Sequence, residues 1–496
     1  MEKPLKIAPT IFLLCLMLAG IAIRMVDLTD APFDFHPDRQ LYDGLLARGL
    51  YQQMIQPGDG GSSLGTIQAL KDAGGFEPPI LPFLVALTYR VVGGEHLWIA
   101  RIWTSLLWVL GGLPLYWLAK RFFSKPAALF AVAFYLFQPF GITASRSFQP
   151  DPFMVAMILW AGWALVRWGE SLNWRDAILA GILCNLALLV KLPAALALIC
   201  IGLAVVLARL GIKRLWRHPQ VWAVAALAAL GPAVYYFLWR GAGSGNYFSF
   251  WTLSFLKLFA QPSFYGDWLQ MLDGILGLVV LALGLIGVAL ARPAARRFLT
   301  AFWLGYLAHT LVFPYQTVTH DYYHLQIVPL AALSLAPLAE LVVERARQIK
   351  GWQRLALAGV LVVAAAYPLW STARVMQYYD YRPEADGWER MGQELPRDGS
   401  MIGLVHDYGF PLAYYGGISV STWPAQIDLD LQALRGSIST ESFEMEFNQR
   451  TAGFRYFLVT LTGDLDAQPE LKTWLLDHYP LQSGDGFSLF DLAGSK

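Results

Sequence analysis

Charge is scarce in this chain. Only 15% of its 496 residues are Asp, Glu, Lys or Arg, and 37 basic residues against 36 acidic ones leave a formal net charge of +1. Such a balance creates no global field to gather nucleic acid or an acidic polymer, so nucleic-acid partners are excluded and any electrostatic argument must be local. Cysteine is nearly absent too. Cys15, Cys184 and Cys200 all fall inside apolar runs, without the spacing of a zinc site or a redox pair, so they read as small buried hydrophobes. No disulfide-rich outer domain or retention signal appears, which favours a bacterial cytoplasmic membrane over an endoplasmic reticulum. Solenoid-type repeats and low-complexity segments are absent as well.

What the chain has is apolar surface. Hydrophobic residues make up 56% of it and the mean hydropathy is +0.44, more than a water-soluble core of this length would need, so lipid must cover much of it. Lys3 and Lys6 precede an apolar run over 7–23 with no small-residue cleavage site before Asp27; this reads as an uncleaved first spanning helix. Later runs of spanning length cover 97–119, 126–143, 153–168, 176–190, 192–209, 219–238, 270–291, 298–313, 323–343 and 354–372. The run 79–94 is short and contains Pro82 and Arg90. Parity decides its placement. If it lies in the outer interface, the clusters at Lys120–Lys125, Arg167–Arg175, Arg209–Arg217, Arg292–Arg297 and Arg345–Arg354 all become cytoplasmic, as the positive-inside bias requires.

The expectation is therefore an α-helical polytopic membrane protein with about eleven transmembrane helices. Residues 1–374 form the membrane domain, in which 27–96 is a first extracytoplasmic loop with interfacial helices. Residues 375–496 form a small C-terminal α/β extracytoplasmic domain. In that tail MIGLVHD, FLVTL and FSLFDL read as strands and PELKTWLLDHY as an amphipathic helix.

Polar residues stand out in four outer places because the spans hold few carboxylates. In FDFHPDRQLYDGLLARGLY, Pro37 before Asp38 suits a helix start, and Asp38 would sit near the positive end of the helix dipole. In FEPPILPF, Glu77 precedes a Pro pair at the water boundary. SRSFQPDP places Arg146 and Asp151 in a short loop. PYQTVTHDYYHLQIVP packs His320, Tyr322, Tyr323 and His324 into another.

On these motifs the chain resembles the C-type (GT-C) glycosyltransferases of the protein O-mannosyltransferase and aminoarabinose transferase superfamily. HPDRQLYDGLLARG supplies the acid, Tyr and Ala-Arg of the family's first outer loop as Asp38, Tyr42 and Arg48, with Arg39 where a second acid would stand. Glu77, Pro78 and Pro79 match a Glu-Lys-Pro-Pro motif whose Lys is missing. The block from EPPILPFLVALTYRVVGG through ARIWTSLLWVLGGLPLYWLAKRFF to SRSFQPDP carries the likeness furthest. It covers 1 to about 200 well, HDYYHLQIVPLAAL more loosely, and the tail only as the family's variable outer domain.

The resemblance implies a GT-C fold and a glycosyltransferase, hexosyl or pentosyl, that moves a monosaccharide from a polyprenyl-phosphate carrier to a lipid, protein or glycan acceptor outside the membrane. Matching acids give Asp38 the task of orienting or deprotonating the acceptor. Asp151 is a second catalytic candidate, or else a loop carboxylate paired with Arg146. Arg146, Lys191 and Lys257 are candidates for the leaving phosphate, joined by Arg48. Lys191 alternatively snorkels to lipid headgroups. His320, Tyr322 and Tyr323 are candidate substrate contacts, with an aromatic belt as the plainer reading. Glu77 is a candidate substrate contact and, with Asp151, a candidate ligand for a divalent metal ion; the family's completing His is missing from the second outer loop, and His320, in a different loop, is a candidate substitute. Rival readings are a polyprenyl-glycan flippase, a glycan polymerase or ligase, and a membrane-anchored binding module. The outer placement of the acids and the lack of paired repeats count against transport.

Overall fold

The computed structural model describes residues 8–56, 77–239, 249–436 and 442–494; Lys3 and Lys6 lie outside the described residues. In chain order the helices are α1 (Ala8–Arg24), α2 (Pro37–Ile55), α3 (Ile80–Val92), α4 (Leu97–Phe122), α5 (Lys125–Phe137), α6 (Pro139–Ala144), α7 (Pro150–Ser171), α8 (Trp174–Val190) and α9 (Ala194–Leu210). They continue as α10 (Ile212–Leu215), α11 (Pro219–Ala233), α12 (Pro262–Leu276), α13 (Leu278–Leu290), α14 (Pro293–Val312), α15 (Pro314–Thr319), α16 (Ile327–Ala346) and α17 (Gly351–Tyr378). The expected apolar runs fall on these helices, two of them on broken pairs, 126–143 on α5 and α6 and 270–291 on α12 and α13, and the segment expected in the interface is the 13-residue α3.

Among the described residues five helical stretches are long and apolar enough to cross a membrane: Leu97–Phe122, Pro150–Ser171, Pro219–Leu238, Asp321–Ala346 and Gly351–Glu394. A sixth arises if α12 and α13, bent by 88° at their junction, are one broken span. That bend sits at Gly277, whose φ of +84° is easy only for glycine. A second break separates α5 from α6 at Pro139, which cannot donate the helical hydrogen bond. There the Gln138 side chain accepts from the Gly141 N–H at 2.5 Å and donates to the Ile275 carbonyl at 2.5 Å. The remaining expected spans map to shorter or more polar helices.

The chain divides into two compact units. The first comprises Met1–Leu28, Gly74–Val85 and Trp98–Tyr378; the second comprises Thr29–Ala73, Ala86–Leu97 and Tyr379–Lys496. The sequence reading divides the chain once, near residue 375, whereas the second unit also takes in much of the first outer loop. Apolar burial is the reason. Leu41, Leu45 and Leu46 of α2, with Ala31 and Phe33, share one buried cluster with Ala385 and Tyr414.

The second unit is built on a five-stranded sheet of order β2-β1-β3-β5-β4, from β1 (Met401–Leu404), β2 (Val420–Thr422), β3 (Tyr456–Val459), β4 (Leu481–Gly484) and β5 (Phe487–Asp491). β1 pairs in parallel with β2 and β3, while β5 runs antiparallel to β3 and β4. β1 and β3 are buried along their whole length, so they are apolar on both faces instead of alternating. One face packs Met401, Leu458 and Leu489 on Met391 and Leu395 of α18 (Arg382–Glu394); the other packs Ile402, Phe457 and Phe490 on Phe447, Leu471 and Leu475. The three strands and the helix expected in the tail are present. β2 and β4 are additions.

Candidate active site

In the first unit the polar centre is an ion pair between α7 and the α8–α9 junction. Pro150 starts α7 and puts Asp151 in its first turn, where the helix dipole favours a carboxylate. Lys191 ends α8 ahead of Pro193. Its Nζ donates to both Asp151 oxygens at 2.8 Å, with the side chains 4% and 1% exposed. The alternatives raised from the sequence are thereby replaced. Asp151 pairs with Lys191, not Arg146, and Lys191 is buried instead of reaching for headgroups. Burying two charges is costly unless their geometry is good and they are fully hydrogen-bonded, and this bidentate contact meets that condition.

Tyr322 and Tyr323 wall the pair, their ring centroids 5.3 and 4.9 Å from Lys191 Nζ, close enough for cation–π attraction. His320 stacks edgewise on both tyrosines and on Tyr315, and its Nδ1 meets Thr319 Oγ1 at 2.6 Å. The tyrosine pair is thus joined to a polar centre rather than spread along a lipid face. Arg146, 1% exposed, donates from Nη2 to the Asp27 carbonyl at 2.9 Å and from Nη1 to Met376 Sδ at 2.6 Å. Lys257 lies exposed on a short 3-10 helix, Leu253–Ala260. Glu77 is half-buried ahead of α3. Among the described residues no three His, Cys, Asp or Glu side chains are grouped to hold a metal ion, and both oxygens of Asp151 are engaged by Lys191. Among the described residues the donor set does not fit the expected metal.

In the second unit Asp38 occupies the first turn of α2 behind Pro37, half-buried. His36 turns the chain into that helix with φ +48°. Facing it electrostatically is Asp407, a residue the sequence reading took as the end of a strand. Burial, and then the charges of Asp38 and Glu384, push the Asp407 carboxyl up to about 6, with His36 opposing. Asp407 and Tyr408 both hold left-handed backbone, φ +45° and +57°, which costs about 1–2 kcal/mol at a non-glycine residue. The fold thus holds near the charge of Asp38 a carboxyl whose proton affinity is raised.

Arg48 has a different setting from the one expected. Its Nε donates to both Glu95 oxygens at 3.0 Å, Nη1 donates to the Tyr414 carbonyl at 2.8 Å, and the guanidinium lies 3.9 Å above the Tyr414 ring. The Tyr414 hydroxyl completes the triangle by donating to Glu95. Gly44, one turn earlier on α2, leaves room for that ring, since a Cβ there would stand 3.1 Å from it. Glu95, Tyr414 and Asp407 were not singled out from the sequence. Arg48 and Tyr414 are 366 positions apart, and no local pattern signals such a contact.

Residues 76–239 match the sequence profile of the family described as Dolichyl-phosphate-mannose-protein mannosyltransferase. No curated protein sequence matches the chain. Among solved structures, ArnT from Cupriavidus metallidurans in the apo state is similar at 15% identity with a TM-score of 0.58, over 97% of this chain and 98% of that one. The same protein bound to undecaprenyl phosphate gives 14% and 0.52 over 98% of each chain. The Archaeoglobus fulgidus oligosaccharyltransferase AglB, in complex with an inhibitory peptide and a dolichol-phosphate, gives 13% and 0.51 over 97% of this chain and 74% of that one. The fold is that of the C-type glycosyltransferases. The family match covers about a third of the chain, and the likeness to the solved structures, each at 15% identity or less, is one of fold.

Proposed function

We propose that this protein is a membrane glycosyltransferase that moves a monosaccharide from a polyprenyl-phosphate carrier to a lipid, protein or glycan acceptor on the outer face of a bacterial cytoplasmic membrane. The observation that carries the reading is Asp38, a half-buried carboxylate in the first turn of α2 whose charge helps to raise the Asp407 carboxyl. Support comes from the likeness, over nearly the whole chain, to an ArnT structure that binds undecaprenyl phosphate.

In the reaction an acceptor hydroxyl or amine attacks the anomeric carbon. The bond from that carbon to the phosphate oxygen breaks, and its electron pair leaves with the lipid phosphate. Asp38 takes the acceptor's proton as attack proceeds. Charge building on the phosphate needs a cation within reach. Lys191 is held by Asp151, and Arg146 and Lys257 are the candidates for that task. Asp151 and Lys191 then shape the pocket rather than carry the proton.

Purified protein in liposomes, given radiolabelled polyprenyl-phosphate monosaccharides and a crude membrane acceptor extract, tests this. Asp38→Asn is expected to lose transfer by about 10²-fold or more, the usual scale for removing a general base, while still binding the donor. Labelled lipid crossing the bilayer equally in both proteins, with no transfer, would replace the transferase by a flippase.

A further inference from the structure

We propose that His309 and Gln326 line a binding site for sugar hydroxyl groups beside the Asp151–Lys191 pair, which makes them specificity-determining residues for the donor; this rests on the glycosyltransferase reading above.

Gln326 stands at the entry to α16, three positions after Tyr323. It is 1% exposed, and neither its amide nitrogen nor its amide oxygen has a hydrogen-bond partner. His309, on α14, is 2% exposed, and its Nδ1 is likewise unpartnered. Tyr323 joins the histidine to the ion pair: its ring lies 5.7 Å from the His309 ring and 4.9 Å from Lys191 Nζ.

Buried polar groups in proteins are nearly always hydrogen-bonded, and a neighbour on the same stretch of chain follows the rule. His324, equally buried, uses both ring nitrogens, one against the Tyr306 hydroxyl at 2.5 Å and one against the Thr317 carbonyl at 2.8 Å. His309 and Gln326 break the rule, as does the amide oxygen of Gln316 between them, and among the described residues Gln326 alone leaves both atoms of its amide unmatched. A carboxamide offers two donors and an acceptor, and an imidazole nitrogen offers one or the other, so together they suit hydroxyl groups, which both donate and accept. The neighbouring ion pair is internally neutral, and tyrosine rings supply an apolar wall. Such a site fits an uncharged, polyhydroxylated ring better than a phosphate. Sites that hydrogen-bond a hydroxyl discriminate strongly against ligands that lack it.

The test uses full-length protein in nanodiscs and three probes: undecaprenyl phosphate and its mannosyl and glucosyl derivatives. Wild type is expected to bind at least one glycosylated probe more tightly than undecaprenyl phosphate. Gln326→Met and His309→Phe should each cut that preference tenfold or more and leave undecaprenyl phosphate affinity unchanged. Gln326→Met should also raise the melting temperature of the ligand-free protein, because it removes an unmatched polar group while keeping the volume. Equal weakening of all probes, or a lower ligand-free melting temperature for Gln326→Met, assigns these side chains to the fold and overturns the proposal. Wild-type binding of undecaprenyl phosphate with no preference for either sugar overturns the sugar site alone. No binding of any probe overturns the carrier reading and this inference with it.

Discussion

Lys191 Nζ lies 2.8 Å from both carboxylate oxygens of Asp151, forty positions away in sequence, and water reaches almost none of either side chain. Removing one member strands a buried charge, which costs about 3–5 kcal/mol. Lys191→Met and Asp151→Leu are each expected to lower the melting temperature sharply, and the double variant to recover most of the loss. Thermal unfolding of all four proteins in one detergent measures the coupling. Additive losses in the double variant would mean that the two side chains act independently.

Arg48 is expected to behave as a structural residue. Its hydrogen bonds to Glu95 and its position over the Tyr414 ring hold α2 within the second unit, so Arg48→Met should cost about 2 kcal/mol, the scale of a lost charge-assisted hydrogen bond. Donor affinity of the folded fraction should be unchanged. Equilibrium binding of undecaprenyl phosphate alongside a melting curve separates the two roles. An unaltered melting temperature with weaker binding would return Arg48 to the leaving phosphate.

Asp407 predicts a pH dependence of stability. Its carboxyl is raised by burial, then by Asp38 and Glu384, from the ordinary 3.8 to about 6. The folded protein therefore holds this proton more tightly than the unfolded chain does. Stability from this group is present below about pH 4 and declines as pH rises through about 6, because the ionised form is the disfavoured one. The melting temperature should fall between about pH 4 and about pH 6.5 and level off above it, and Asp407→Asn should flatten that slope and melt higher at pH 7.5. An unchanged slope in the variant would assign it to another group.

Hydropathy made the membrane unit legible, because lipid imposes a long apolar run on every spanning helix. The breaks inside those runs were not legible. Gln138 stabilises the α5–α6 junction through a carbonyl contributed by Ile275, and the bend at Gly277 looks in sequence like one more small residue in an apolar stretch. In the tail, β1, β3 and β5 announce themselves by bulky apolar residues, whereas the three-residue β2 and the fully exposed β4 carry no burial pattern to read. Single residues divided the same way. Lys191 and Asp151 are conspicuous as charges among apolar neighbours, but their pairing is a product of tertiary packing. Asp407 sits in a strand-end motif, and only folding brings it against Asp38.

Arg24 offers the sharpest test of how the first unit holds its broken helix. It is completely buried at the end of α1 and donates to Ser145 Oγ at 2.6 Å and to the carbonyls of Gly20, Leu136 and Gly141 at 2.8, 3.0 and 3.3 Å. Leu136 and Gly141 flank the break at Pro139, where the helical ladder is interrupted and carbonyls need outside donors. The guanidinium fork reaches several of them at once, which a lysine ammonium cannot do with the same geometry. Arg24→Lys should therefore destabilise the protein by about 2 kcal/mol, and Arg24→Met by more, since the latter offers no donor to any of these acceptors. The segment being held leads directly into Arg146 and Asp151. Loss of the fork should consequently weaken undecaprenyl phosphate binding in Arg24→Lys even at temperatures where that variant is fully folded. Unaltered binding would confine Arg24 to stability and detach the helix break from donor binding.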